Sequence, residues 1–97
     1  MLESEYQKKL IDKLKVRFPG CLILKNDSAY IQGIPDLSIF YRARWAMLEV
    51  KASATSPYQP NQEYYLELAN GMSFAHVIYP EIEEDVIRAL VAAFQGV

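Results

Sequence analysis

The chain has one cysteine, one histidine and one tryptophan in 97 residues, and only four glycines. A single cysteine, Cys21, excludes an intramolecular disulfide and leaves no second thiolate for a zinc or iron–sulfur cluster. That fits a reducing, intracellular setting. The single His76 falls inside the apolar run 74–79, where a satisfied sheet residue is the ordinary reading and a general base the rarer one. No apolar run is long enough to cross a bilayer, and residues 3–17 carry too many charges for a signal peptide. Repeats, low-complexity stretches and linkers are missing. Positive charge is not in excess either: the net charge of −2 argues against a protein that coats nucleic acid regardless of sequence.

With 52% hydrophobic and 23% charged residues, the composition is that of an ordinary globular protein. Residues 1–97 make one domain with a modest core, so a small oligomer is one way to hide more apolar surface. The charge is unevenly spread. Residues 1–51 hold nine of the ten lysines and arginines against six acids, a net +3, whereas residues 52–97 hold only Arg88 against six acids, a net −5. A phosphate backbone could be met locally by Lys8, Lys9, Lys13, Lys15, Arg17, Lys25, Arg42 and Arg44. A solvated lysine face on the first helix accounts equally well for most of them.

Residues 3–17 read as an amphipathic helix, with Tyr6, Leu10 and Leu14 at helical spacing, stopped by Pro19-Gly20. Cys21–Leu24 suits a strand, and Asn26-Asp27-Ser28 a turn. A second strand is expected over Asp36–Tyr41 and a third over Trp45–Val50. The short Arg42-Ala43-Arg44 connection makes them an antiparallel hairpin. After the loop 52–60, a helix is expected over Asn61–Asn70, with Gly71 as its C-cap. A fourth strand, Ser73–Tyr79, ends at Pro80. A last helix runs from about Glu81 to Phe94, its acidic first turn complementing the helix dipole. The order α-β-β-β-α-β-α implies an α/β fold with a mixed sheet, whose final strand is reached by a crossover.

One constellation carries chemistry. Asp36 follows Pro35 at the start of one strand, and Glu49-Val50-Lys51 closes the next. Side chains alternate along a strand, so Glu49 and Lys51 share a face and Val50 takes the other. If Asp36 lies across the hairpin, two carboxylates converge beside one ammonium. Two hard oxygen ligands suit Mg²⁺, which takes further oxygens from water or phosphate. A cross-strand ion pair is the simpler alternative, and Glu-x-Lys alone is common. Pro-Asp before one strand with Glu-x-Lys ending the next is a much narrower coincidence.

Gly33-Ile34-Pro35-Asp36 with Glu49-Val50-Lys51 resembles the motif of the PD-(D/E)xK nuclease superfamily. Within it the chain is most similar to the virus-type replication–repair nuclease (VRR-NUC) domain in its compact, stand-alone phage form. The resemblance spans nearly all of the chain and implies a restriction-endonuclease-like α-β-β-β-α-β core, a mixed sheet flanked by helices, and an extra C-terminal helix. It implies Asp36 and Glu49 as metal ligands, the Val50 carbonyl as a third, and Lys51 as the catalytic lysine. An acid of the first helix often joins such sites. Glu3, on the inward face, is the candidate and Glu5 the runner-up, with a helix-dipole role as the alternative for both. Gln62 corresponds to a helix glutamine facing the site, and Gln62-Glu63-Tyr64-Tyr65 resembles a Gln-x-x-Tyr element that would make Tyr65 a backbone or base contact. Gly33 would allow close approach of substrate, or simply make a turn. Among the basic residues, Lys25 and Lys8 are taken as candidate nucleic-acid contacts.

The activity so implied is a Mg²⁺- or Mn²⁺-dependent endodeoxyribonuclease acting on branched DNA, the four-way Holliday junction first, in the cytoplasm of a bacterial or phage-infected cell. It calls for no nucleotide cofactor and no membrane. No separate DNA-recognition domain fits in 97 residues, which favours recognition of shape over sequence. The last helix, with Val86, Ile87, Leu90, Val91, Phe94 and three alanines, has an apolar face wider than one small sheet needs. Deep packing in the monomer or a two-fold dimer would explain it. The rival activities are a monomeric flap- or end-processing or restriction-like nuclease, and a non-catalytic DNA-binding module of the same fold. Tyr30, Tyr41, Tyr58, Tyr64 and Tyr79 could stack on unpaired bases, although tyrosine is equally at home in sheets.

Overall fold

The computed structural model describes residues 1–95; the last two positions of the expected 1–97 domain lie outside the described residues. Helix α1, Glu3–Arg17, carries Glu3 and Glu5 in its first turn and Lys15 and Arg17 in its last, each complementing the local end of the dipole. Tyr6, Leu10 and Leu14, four apart, form its buried stripe. Gly20, at φ +87°, then turns the chain where a side chain would be strained.

The strands are β1 (Leu22–Lys25), β2 (Leu37–Tyr41), β3 (Arg44–Val50) and β4 (Phe74–Ile78). They form one sheet in the order β1-β2-β3-β4. The first three are antiparallel neighbours, and β3 pairs with β4 in parallel. A parallel neighbour cannot be reached by a tight turn, so helix α2, Gln62–Met72, makes the crossover. The α/β layout with a mixed sheet is therefore the one expected. The β2–β3 turn is tight, with Arg42 at φ +57°.

Two local features differ from expectation. Gly71 lies inside α2 and is not its cap; the helix ends at Met72 with Ser73 as C-cap. Side chains hold this end in place of a left-handed glycine: Ser73 Oγ donates to the Trp45 carbonyl, and Ala75 N donates to Asn70 Oδ1 at 3.1 Å. The last helix, α3, spans Glu83–Phe94 and is preceded by a 3-10 turn, Pro80–Ile82. Proline fits the first position of such a turn because its missing N–H has no partner to lose there.

One face of the sheet makes the core. Leu37 and Ile39 of β2, Ala46, Leu48 and Val50 of β3 and Ile78 of β4 pack with the α1 stripe and with Val86, Ile87, Leu90 and Phe94 of α3. The bulky residues of α3 are thus used within the monomer. Ala89 and Ala92 are exposed, as is Arg88, which pairs with Asp85 at 2.7 Å. The breadth of this helix therefore gives no separate reason for a dimer. Glu83 of its first turn is buried and accepts from Tyr6 Oη at 2.9 Å and from Lys13 Nζ at 2.8 Å, clasping α3 to α1. On the opposite sheet face, α2 packs on β3 and β4. Over β1 and β2 that face leaves Leu22, Leu24 and Phe40 exposed. No helix among the described residues is long and apolar enough to cross a membrane.

Candidate active site

The pairing of Leu37 with Leu48 sets Asp36 opposite Glu49 at the end of the hairpin. Asp36 Oδ2 accepts the Val50 amide hydrogen at 2.9 Å. The preceding turn is held by Asn26: its amide N donates to the Asp36 carbonyl at 2.8 Å, and its Nδ2 to the Pro35 carbonyl and to Ser38 Oγ, both at 2.9 Å. Pro35 itself is fully buried. The Pro-Asp turn is therefore anchored to β1, β2 and β3 together.

Alternation along β3 sends Val50 into the core and leaves Glu49 and Lys51 on the α2 side. Glu49 is 1% exposed. Its Oε2 accepts from Gln62 Nε2 at 3.0 Å and stands 3.6 Å from Lys51 Nζ. Its Oε1 is buried with no hydrogen-bond partner among the described residues. Burial, then the negative charge of Asp36 and a hydrogen bond shared with it, push the Glu49 carboxyl up to about 8, with Lys51 only partly offsetting them.

Lys51 is likewise buried, and its backbone N–H continues the parallel pairing by donating to the Ile78 carbonyl at 2.9 Å. Its Nζ donates to the Pro57 carbonyl at 2.9 Å and to Gln62 Oε1 at 2.8 Å. Gln62 Oε1 accepts as well from the Gln59 amide at 2.7 Å. One glutamine at the start of α2 therefore links Glu49, Lys51 and the loop before the helix. The Tyr58 ring lies over Lys51, 5.4 Å from Nζ to centroid.

A buried carboxylate oxygen without a partner is costly unless something fills its coordination. Asp36 lies beside the same carboxyl, and two adjacent carboxylates repel. A hard divalent cation answers both conditions, so Asp36 and Glu49 fit one. Glu3 lies on the same helical face as Tyr6 and Leu10, and partial burial followed by the charge of Asp36 raises its carboxyl. It is thus close enough to feel the site. Among the described residues, however, no three His, Cys, Asp or Glu side chains stand together as a ready metal-binding group. Glu5 lies on the exposed side of α1.

The remaining candidates are placed as follows. Gly33, at φ +92°, packs against the loop before α2: a Cβ there would lie 2.6 Å from Asn61 Cβ and 2.7 Å from the Pro60 carbonyl oxygen. Gly33, Asp36, Gln59, Pro60 and Gln62 line a cleft of ≈ 380 Å³. A larger groove, ≈ 630 Å³, is elsewhere, lined by Asp12, Lys13, Val16, Arg17, Glu84 and Ile87 of α1 and α3. Lys25 is exposed and pairs across the sheet with Leu37, next to Asp36. Lys8 is exposed on the side of α1 away from the buried stripe, distant from this cluster in helical phase. Tyr65 is half-buried and packs edge-on against Tyr64 at 5.0 Å. Among the described residues it makes no side-chain hydrogen bond to the cluster.

Sequence reasoning passed over Asn26, and grouped Tyr58 with four other tyrosines that could stack on bases without placing it at the site. Asn26 carried only a turn signal, because its partners are nine to twelve residues away. Tyr58 was one tyrosine among seven. Its phenol is raised by burial, by Glu63 and then by Glu49, which marks its closeness to the site. In comparison with known proteins, the chain matches no family model and no curated protein.

Proposed function

We propose that the chain is a Mg²⁺- or Mn²⁺-dependent endodeoxyribonuclease of the PD-(D/E)xK superfamily and the VRR-NUC type, with a restriction-endonuclease-like core. The observation that carries this reading is the buried Glu49 with one unpartnered oxygen, set across from Asp36 and beside Lys51. Isolated burial of that kind destabilises a fold, so a ligand is its natural explanation.

In this reading Asp36 and Glu49 hold the cation, with the Val50 carbonyl and Glu3 as the candidates to complete its shell. When bound, the cation supplies charge neutralisation and Lewis-acid polarisation to a phosphodiester. Lys51 presents a fixed positive charge where negative charge develops on the phosphorus oxygens, and orients the water whose oxygen forms the new P–O bond as the leaving-group bond breaks. Gln62 keeps Lys51 and Glu49 in register. Asn26 and the Val50 amide hold Asp36 in place, so the site costs little reorganisation during the reaction.

The substrate proposed is branched DNA, the four-way junction first, cut by a homodimer in the cytoplasm. The junction preference rests on the family resemblance. Leu22 and Phe40, cross-strand neighbours that are 57% and 40% exposed, support an association between two copies better than α3 does. Purified protein incubated with Mg²⁺ or Mn²⁺ and labelled four-way, flap and linear DNA, beside an Asp36→Ala control, tests the substrate. Preferential cutting of the four-way form is expected. Equal cutting of linear duplex would remove the junction preference, and a monomer mass by light scattering at high concentration would remove the dimer.

A further inference from the structure

The loop between β3 and α2 is bound to the site on both sides of one exposed aromatic residue. The Pro57 carbonyl accepts from Lys51 Nζ, and the Gln59 amide donates to Gln62 Oε1. Pro57 and Pro60 fix two φ angles in this short segment. Upstream, Ser56 N donates to the Ser53 carbonyl at 3.2 Å, and Ser53 N returns a bond of 3.2 Å to Ser56 Oγ. Tyr58 therefore sits on a backbone with little freedom. Its neighbours are tied to Lys51 and Gln62, and its ring lies within cation–π distance of the Lys51 ammonium.

A tyrosine serving only to keep water from Lys51 would itself be covered. Tyr58 is 41% exposed. The other exposed tyrosines differ: Tyr30, at 85%, lies outside the Asp36–Glu49–Lys51 cluster, and Tyr64, at 61%, rests against Tyr65. Tyr58 alone combines a fixed backbone, contact with Lys51 and an open ring surface. A nucleobase hangs from the sugar next to its phosphate, so a phosphate at Lys51 brings a base to this ring. In paired duplex the faces of that base are taken by its stacked neighbours. Only an unpaired or splayed-out base can offer a face to Tyr58.

We propose that Tyr58 is a substrate-contacting residue whose ring stacks on an unpaired base beside the scissile phosphate, and so selects DNA with a local break in pairing. The inference rests on the nuclease reading for the position of the phosphate. It assigns shape selection to one side chain at the site itself and requires no second domain. It also makes the aromatic ring, and not the phenol hydroxyl, the recognising group.

The test is binding of the full-length chain to DNA carrying 2-aminopurine at an unpaired position beside a branch point, compared with the same probe fully paired. Binding is followed by fluorescence with Ca²⁺ in place of Mg²⁺, for the wild type, Tyr58→Phe and Tyr58→Leu. The wild type and Tyr58→Phe are expected to quench the unpaired probe on binding. Tyr58→Leu is expected to lose the quench and to bind the unpaired probe about 5- to 150-fold more weakly, the range for one base–aromatic stack. The fully paired probe should change little. The proposal is overturned if the wild-type complex shows no quench, if Tyr58→Leu quenches and binds as the wild type does, or if its affinity falls equally for both probes. Should Tyr58→Leu fail to fold, Tyr58→Ser takes its place in the same comparison. Tyr58-dependent quenching without cleavage in Mg²⁺ or Mn²⁺ would leave the stacking in place and remove the nuclease reading. Cleavage that is indifferent to Tyr58 would do the reverse.

Discussion

The amide of Val50 donates a hydrogen bond to Oδ2 of Asp36 over 2.9 Å, fastening the turn before β2 to the last residue of β3. This bond gives Asp36 a structural duty separable from its chemical one. Asp36→Ala removes the acceptor and leaves a part-buried N–H without its partner, for an expected loss of about 1–3 kcal/mol. Asp36→Asn keeps an oxygen acceptor there and is expected to melt close to the wild type. If Asp36 holds the proposed cation, both should lower the DNA cleavage rate by on the order of 100-fold. Thermal melts beside single-turnover rates separate the two duties. An Asp36→Asn protein that melts normally and cuts normally would take Asp36 out of the site.

Glu49 makes stability depend on pH in a stated direction. Its carboxyl, ordinarily at 4.5, is raised to about 8 by burial and by Asp36. The fold thus favours the protonated form. The stabilisation is fully present below the unfolded value and is lost as pH rises through about 8. In a chelator, Tm should fall between about pH 5 and about pH 9, and Glu49→Gln should flatten this dependence. Mg²⁺ should raise Tm more at the alkaline end, because cation and proton compete for one carboxylate. A Tm that is equally indifferent to Mg²⁺ at both ends would argue against a cation at Glu49.

Gln62 joins Glu49, Lys51 and the Gln59 amide through one side chain. Gln62→Met preserves much of the bulk and removes all three bonds. A loss of about 1–3 kcal/mol is expected from the partners left unsatisfied. Cleavage should slow as well, because Lys51 and Glu49 lose their common tether. A Gln62→Met protein with wild-type Tm and rate would show that the amide is dispensable.

How much of this was legible in the chain follows from the range of the interactions. The α1 stripe of Tyr6, Leu10 and Leu14, the alternation along β2 and β3, and the hairpin around Arg42 are local patterns, and the structure reproduces them. The facing of Asp36 and Glu49 was readable because a two-residue hairpin fixes its own register. The hold of Asn26 on Pro35 and Ser38, and of Glu83 on Tyr6 across 77 residues, has no local signature. Gly71 misled for a related reason: Asn70 and Ser73 close the end of α2 through bonds to Ala75 and to Trp45 in β3, which no helix-end rule anticipates. The wide apolar face of α3 could not be divided between core and interface until its neighbours were known.

Gly20 and Gly33, the left-handed glycines among the described residues, should respond unequally to a methyl group. Gly33→Ala combines a positive φ with a Cβ 2.6 Å from Asn61, and a loss of about 2–3 kcal/mol is expected, together with slower cleavage as the Gln59–Gln62 segment shifts. Gly20→Ala meets nothing within 4 Å among the described residues. It should lose only the conformational cost, about 1 kcal/mol, with cleavage unchanged. Equal losses at both positions would mean that the Asn61 contact is not tight in solution.

Single-turnover cleavage of end-labelled branched DNA, with and without Mg²⁺ or Mn²⁺, tests the central claim most directly. The comparison is between wild type and a Glu49→Gln protein shown by circular dichroism to be folded. Cleavage by the wild type only when the cation is present, reduced on the order of 100-fold or more by Glu49→Gln, is the predicted result. A folded wild type that cuts no DNA with either cation, or a Glu49→Gln protein that cuts as fast, would contradict it.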